Sequence, residues 1–594
     1  MRQEADLILL HPPTVYDFRE KAILFGPISD LVPSTPVFEM YPIGFTSISE
    51  YLSRFGFHVR IINIALKMLR SKRYNVEEEI KNLHPRIFGI DLHWMPHVQG
   101  SLALAEIVKK YHPATPVIFG GLSSTYFHEE LIRCYPQIDY VMRGDSTEEP
   151  LRQLISALKE ADGHTAPKVD HIPNLTWRDS QGKVQVNPLT NVPADLDDIK
   201  IDYSHIMKKV MRYRDLHGYT PYQNWLNYPA TAVFNVRGCT HTCRTCGGAA
   251  YAFRKNCNRP KPAYRDPELL ARDMKTIDNN LNAPIIIIGD MMQPGRQYAL
   301  RLLKELKKQK IRNPVAVEFF VPPADDILEM IADAVPNFNI EMSPESHDEE
   351  VRRTFGRPYG NEELERMIDT SLRLGCRRID LFFMIGLSKQ TYQSVLNTVD
   401  YCRLLLERFG HTRRLIPFIS PYAPFIDPGS EAYEDPEKFG YKILCRTVEE
   451  HRRAMESPSW KYVLSYETRW MTRSEIVDSS YEAGMILNRL KARYGLINPK
   501  KAERTEKRMQ LAIKAMKEID DIMLISDDAE RDRQMQKLKA RVRKLSENTI
   551  CEKKELEWPT RLLRMNIGWI LKNWFLIEIW HRFQAIRNRG QWSC

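Results

Sequence analysis

Between Asp6 and Lys159, five short apolar runs read as buried strands: Leu7–Leu10, His58–Ile64, Ile87–Leu92, Val117–Phe119 and Ile138–Met142. Helical patterns at Ile43–Phe55, Val98–Tyr111 and Glu148–Leu158 lie between and after them. Strands that are apolar at every position, not at alternate ones, are covered on both faces, so residues 1–160 predict a doubly wound, Rossmann-like α/β sheet with ligands at its carboxyl ends. A polar stretch, 161–225, reads as a linker with one hairpin turn at Trp177–Val184. Six more apolar runs fill residues 226–430: Ala232–Val236, Ile285–Ile288, Val315–Phe320, Phe338–Met342, Ile379–Ile385 and Leu415–Ile419. Helical patterns such as Glu268–Asn279, Tyr298–Lys308, Glu362–Leu374 and Tyr392–Phe409 separate them, giving six βα units in series. Residues 431–498 continue as an α-helical extension, and 499–548 carry interleaved charges with sparse apolar positions, the pattern of a solvated helical hairpin.

Composition narrows the setting. A chain of 594 residues is too long for one core, and its 43% hydrophobic and 27% charged content is that of a globular protein. No stretch of about 18 uninterrupted apolar residues exists to span a bilayer, and the N-terminus lacks a signal peptide's apolar region, so a cytoplasmic location is expected. Ten scattered cysteines suit a reducing compartment. Half of the net charge of +10 falls in residues 559–594, where six Lys/Arg face only Glu578; the remainder is near balance and no nucleic-acid surface is expected. Residues 558–592 also hold five of the ten tryptophans. Trp mixed with Lys/Arg predicts a helix lying in a membrane interface, giving peripheral contact with the inner face of the cell membrane, or a helix docked on protein.

The densest chemistry is the run Arg237-Gly238-Cys239-Thr240-His241-Thr242-Cys243-Arg244-Thr245-Cys246-Gly247-Gly248. Its C-x3-C-x2-C spacing supplies three thiolates, one too few to close a four-cysteine iron-sulfur site, so one iron of a 4Fe-4S cluster would stay open. The residues alone also allow a structural zinc site completed by His241 or Cys257.

This motif resembles that of the radical S-adenosylmethionine (radical SAM) superfamily, although Thr245 stands where members usually carry an aromatic residue. The resemblance implies a (β/α)6 partial TIM barrel and a cluster, held by Cys239, Cys243 and Cys246, whose open iron binds SAM and splits it to a 5′-deoxyadenosyl radical. It implies SAM contacts at Gly289 and Asp290 after the second barrel strand, where the usual Gly-Gly-Glu is missing. Further contacts are implied at Ser343 and Glu345 after the fourth, and at Ile385 and Gly386 after the fifth.

Ahead of it, the His11-Pro12-Pro13 start, the Tyr41-Pro42-Ile43-Gly44 loop and Gly120-Gly121 together resemble the cobalamin-binding domain that precedes many radical SAM domains. That implies cobalamin contacts at Asp91, His93, Trp94, Gly120, Gly121, Leu122 and Gly144, with cobalamin bound base-off and its lower face near His93 or Trp94; the D-x-H-x-x-G of enzymes that supply a histidine ligand is absent after the first strand. Glu318-Phe319-Phe320, Pro344-Glu345-Ser346-His347 and Ser457-Pro458-Ser459-Trp460 extend the resemblance to an uncharacterised subfamily of anaerobic microbes.

The expected activity is a C-methyltransferase acting on an unactivated carbon of a hydrophobic or lipid-like substrate. Small-molecule and protein substrates stay open, and a ferredoxin or flavodoxin is the expected electron donor. Redox, cyclisation or carbon-carbon coupling with the same cofactors is the alternative, and a non-catalytic cobalamin or iron-sulfur sensor is a third.

Overall fold

The computed structural model describes residues 5–21, 23–26, 35–161, 166–421, 425–542 and 555. The Trp-rich segment 558–592, expected to touch a membrane or a protein surface, lies outside the described residues. No helix of the described residues is long and apolar enough to cross a membrane.

The first five apolar runs form parallel strands β1 (Ala5–His11), β2 (Val59–Asn63), β3 (Pro85–Asp91), β4 (Val117–Gly120) and β5 (Tyr140–Met142), in the spatial order β2-β1-β3-β4-β5. Alternate side chains of one strand feed opposite cores: Ile8, Leu10, Phe88 and Ile90 pack on one side, Leu7, Leu9, Ile61 and Ile87 on the other. That is why these strands are apolar at every position. The strand order reverses between β1 and β3, which places a crevice at their carboxyl ends, His11 and Asp91.

The sequence put a hairpin in a linker. The structure instead adds β6 (Leu175–Arg178) and β7 (Val184–Val186) to the same sheet, antiparallel, with Tyr140 opposite Trp177 and Thr176 opposite Val186. The linker therefore begins after this edge.

The second sheet holds six parallel strands in chain order: Thr231–Phe234, Ile285–Ile288, Val315–Phe319, Phe338–Glu345, Ile379–Ile385 and Leu415–Pro421. The first and last do not pair, so the barrel is partial. Side-chain caps start several of its helices. Asp266 accepts from the amides of Glu268 and Leu269 at the head of Pro267–Asn280, and Thr391 from that of Ser394 at the head of Tyr392–Phe409.

The helical extension touches both units. Helix Val448–Met455 packs on Val98–Tyr111 of the first, while Arg473–Arg493 packs on Tyr392–Phe409 and on the last barrel strand. Helix Pro499–Met523 lays Met509, Ala512, Met516 and Ile519 against this layer, and Asp528–Val542 packs back on it.

Candidate functional site

The three cysteines follow the first barrel strand on a loop whose entry is fixed by a short antiparallel pairing of Val236–Arg237 with Ala263–Tyr264. At Gly238 (φ +94°) a Cβ would lie 2.8 Å from Arg259 Cδ and 2.9 Å from Pro262 Cα, so the turn into Cys239 requires glycine. Backbone amides already point at sulfur: His241 N–H donates to Cys239 Sγ (3.4 Å) and Gly248 N–H to Cys246 Sγ (3.3 Å). Burial pushes the thiols up, Cys239 to about 11, so a metal must displace protons there. Among the described residues no three His, Cys, Asp or Glu side chains converge on one ion. A 4Fe-4S cluster would take the three thiols on three different irons and so does not need them to converge on one ion. Cys257, the alternative zinc ligand, is buried beside Asp145 and Arg259 at the interface of the two units. His241 packs its ring against Phe320, with centroids 5.1 Å apart.

The barrel strand ends surround this loop. Gly289 (φ +95°) donates its N–H to Glu318 Oε2 at 3.3 Å. Asp290, the sequence candidate for the SAM amino group, is turned into the backbone. Its Oδ1 accepts from Met292 N–H (2.8 Å) and its Oδ2 from Phe320 N–H (3.4 Å), leaving it buried. Glu318, quoted from sequence only as part of a resemblance, presents a carboxylate that burial pushes up to about 7. Glu345 is buried with Oε2 unpartnered, and burial also pushes it up to about 7. Ser343 stands half-buried where the register between the fourth and fifth strands breaks. Gly386 (φ +96°) follows Ile385, and a Cβ there would lie 2.6 Å from the buried hydroxyl of Tyr466, which has no partner. Tyr466 belongs to the helical extension, which therefore reaches the carboxyl end of the fifth strand.

Arg357 was not found from sequence. The helix Glu349–Phe355 ends at Gly356 (φ +117°), where a Cβ would sit 2.6 Å from Thr242 O, and the next residue is thereby set against the cysteine loop. Its guanidinium is 4% exposed, lies 4.4 Å over the Phe320 ring, donates to Glu345 Oε1 (3.4 Å), and leaves Nε and Nη1 without hydrogen-bond partners among the described residues. Burial would lower its pKa, but Cys243 and Glu345 outweigh that and raise it. A Gly-Arg-Pro run directly after an amphipathic helix is the only sequence signal it leaves.

On the first unit, the residues expected to hold cobalamin do gather at the strand ends. Gly121 (φ +112°) packs on the backbone of His93, where a Cβ would lie 2.5 Å from its Cα, and Ser123 N–H donates to His93 O (3.1 Å). Gly120 faces open space, nothing lying nearer its Cβ position than Met142 O at 3.9 Å. Leu122 begins a one-turn helix, and Gly144 (φ +91°) donates its N–H to Thr125 Oγ1 at 3.0 Å. Trp94 is 42% exposed beside half-buried His93, whose basicity burial lowers. Asp91 departs from the group: its Oδ1 pairs with His11 Nδ1 (2.9 Å), and His11 Nε2 donates to Phe38 O (2.9 Å). The carboxylate thus lies in the crevice between β1 and β3, with its Oδ2 given no hydrogen bond among the described residues. An open glycine edge and an exposed indole on the lip suit a large, flat ligand.

Buried ion pairs join the two sets of strand ends. Glu148, just past β5, takes both guanidinium arms of Arg237 (2.5 and 2.9 Å) and the Ser47 hydroxyl (2.8 Å), with side chains only 10% and 4% exposed for Arg and Glu. Arg259 pairs with Asp145 and donates to Ser146 Oγ (3.1 Å) and Pro193 O (2.9 Å). The loop after β5 is therefore fastened to residues on both sides of the cysteine loop.

The B12 binding domain family model matches residues 31–154, and the Radical SAM superfamily model matches residues 236–402. The chain is 21% identical over 415 residues to cytidylyl-2-hydroxyethylphosphonate methyltransferase of Streptomyces wedmorensis, covering 62% of this chain and 73% of that one. It is 23% identical over 197 residues to the anaerobic magnesium-protoporphyrin IX monomethyl ester cyclase of Rubrivivax gelatinosus, a third of each chain. Among solved structures, the radical SAM methyltransferase TsrM of Kitasatospora setae superposes with a TM-score of 0.54 at 14% identity, covering 83% of this chain and 89% of that one. The cobalamin-dependent SAM radical enzyme OxsB gives 0.51 at 14% identity, over 99% and 81%. The chain thus carries a B12-binding domain followed by a Radical SAM superfamily domain, an arrangement matching that of cobalamin-dependent radical SAM methyltransferases.

Proposed function

We propose that this enzyme is a cobalamin-dependent radical SAM methyltransferase that methylates an unactivated carbon of a hydrophobic or lipid-like substrate. The observation that carries the reading is the pair of buried clamps, Glu148–Arg237 and Asp145–Arg259, which hold the cobalamin-side loops against the cysteine loop. Two cofactors that must act on one substrate carbon need fixed proximity, and these contacts supply it. The methyltransferase relatives support the same reaction class.

When bound, the cluster and cobalamin supply one-electron cleavage of SAM and carriage of a methyl group; the protein's part is to bind, orient and exclude water. Cys239, Cys243 and Cys246 hold the cluster. Glu318 would take the SAM ammonium, since Asp290 already accepts from two backbone amides, and Arg357 would offer Nε and Nη1 to the SAM carboxylate. Ser343, Glu345 and the stretch at Ile385–Gly386 would contribute to holding the nucleoside part of SAM. Gly120, Gly121, Leu122, Gly144, His93 and Trp94 form the corrin edge. A ferredoxin or flavodoxin delivers the electron.

The protoporphyrin ester cyclase relatives favour a second reading, oxidative cyclisation without methyl gain. Anaerobic incubation of loaded enzyme with reductant, methyl-labelled SAM and separated membrane and soluble fractions of its host decides between them by mass spectrometry. Label in a lipid together with 5′-deoxyadenosine is the expected result. 5′-Deoxyadenosine without label transfer supports cyclisation or coupling, and neither product overturns both.

A further inference from the structure

We infer that Asp427 is a positioning residue for the cluster loop that also sets its charge: it fixes the Cys246-Gly247 turn and keeps a carboxylate on the amide of the residue that follows Cys246. It thereby lowers the reduction potential of a cluster bound there. The inference rests on Cys239, Cys243 and Cys246 being the cluster ligands.

Beyond the sixth barrel strand the chain returns alongside the cysteine loop and is laced to it. Asp427 N–H donates to Thr245 O (3.3 Å), Gly247 N–H donates to Asp427 Oδ2 (2.9 Å), and Ala432 N–H donates to Arg244 O (2.8 Å). The Arg244 guanidinium pairs with Glu431. A Cβ on Gly247 would lie 2.9 Å from the Asp427 Cβ and 3.5 Å from its Cγ, so a glycine after Cys246 is what lets the carboxylate lie flat against the turn. Farther along, Asn256 Nδ2 donates to Gly429 O (3.3 Å), closing the strap on the helix that follows the loop.

The other acids of this strap are neutralised: Glu431 by Arg244 and Lys438, Glu434 by Lys255. Asp427 pairs with no cation among the described residues; its bonded donor is the amide of Gly247, the residue next to Cys246. Arg357 places the opposite charge beside Cys239 and Cys243 on the other flank. The potential of an iron-sulfur centre follows its net charge and the hydrogen bonds around its sulfurs. An electron arriving beside an uncompensated carboxylate meets a repulsion that a neutral amide would not exert. A cluster held low in potential is the stronger reductant toward SAM.

Asp427→Asn keeps an acceptor for Gly247 N–H and removes the charge, while Asp427→Glu keeps the charge at a changed reach. The full-length protein and both variants are loaded anaerobically, assayed for iron and sulfide, and titrated by EPR-monitored potentiometry without SAM. The expected result is an upward shift of the midpoint in D427N at unchanged iron content, with D427E near the unmodified protein. An unmoved midpoint in D427N at full iron content overturns the proposal. So does a loss of cluster in D427N and D427E alike with no shift in the part that remains, because that outcome assigns Asp427 to packing alone. An unmodified protein that takes up no cluster overturns the ligand assignment itself and this proposal with it.

Discussion

Glu148→Gln tests whether the clamp between the two units governs the cysteine loop. The substitution keeps the side chain's volume and one acceptor but leaves the Arg237 guanidinium, 10% exposed, without its counter-charge. Removing one partner of a buried pair costs about 3–5 kcal/mol, because the remaining charge stays desolvated. At about 1.4 kcal/mol per tenfold, opening of this region becomes roughly two to three and a half orders of magnitude more frequent. Hydrogen exchange of peptides spanning 236–249 reads that change directly, in a regime where exchange follows the opening equilibrium. Replacing both partners with apolar residues, Arg237→Met with Glu148→Leu, restores most of the protection, since no orphaned charge is left. The pair also predicts a pH response. Burial would raise the Glu148 pKa, but Arg237 outweighs it and holds the carboxyl below its ordinary value. The contribution is therefore complete above the unfolded value, about 4.5, and fades as pH falls through the lower folded one. Exchange in E148Q within about threefold of the unmodified protein would refute the reasoning, because 3 kcal/mol corresponds to far more.

Single changes of Cys239, Cys243 or Cys246 to Ala each abolish SAM cleavage and lower bound iron; one variant retaining full activity sinks the cluster assignment. Gly121→Ala forces a Cβ to 2.5 Å from His93 Cα and loses cobalamin through a displaced loop, whereas Gly120→Ala meets no protein atom closer than 3.9 Å. G120A should therefore melt like the unmodified protein yet bind cobalamin more weakly by absorbance titration; unchanged binding removes Gly120 from the corrin edge. Burial pushes Glu318 up to about 7, so its anionic form, the one that attracts an ammonium, fills in as pH rises from 6 to 8. Over that range SAM affinity by equilibrium dialysis rises, by up to about tenfold per pH unit below the pKa, and Glu318→Gln flattens the profile. The same raised pKa means that the fold's preference for the protonated carboxyl is lost as pH climbs through about 7.

Strands were legible where the whole run is apolar. Ile285–Ile288 is four isoleucines, and no partner need be known to place it in a buried parallel sheet. The β6–β7 edge was not, because Leu175–Arg178 and Val184–Val186 are short and mixed, and their membership of the first sheet is decided by pairing with Tyr140–Met142 about thirty residues earlier. The cysteine motif was legible because its spacing is local. The direction of the Asp290 carboxylate was not legible, because adjacency to a strand end says nothing of orientation; it accepts from the amides of Met292 and Phe320. Arg357 and Asp427 escaped for the reason that makes them useful: each reaches the loop from a distant turn opened by a glycine or sited against one.

The strap from Asp427 to Ala432 has a consequence for biogenesis. Its anchor on Gly247 is 180 residues downstream of the turn it fixes, past every remaining strand of the barrel. As a nascent chain leaves the ribosome, the cysteines emerge long before the carboxylate and amides that give their loop its final shape. Iron captured at that stage would meet a loose, solvent-washed tripod. A cluster held by these cysteines would therefore find its loop in this final shape only after the sixth strand has been made.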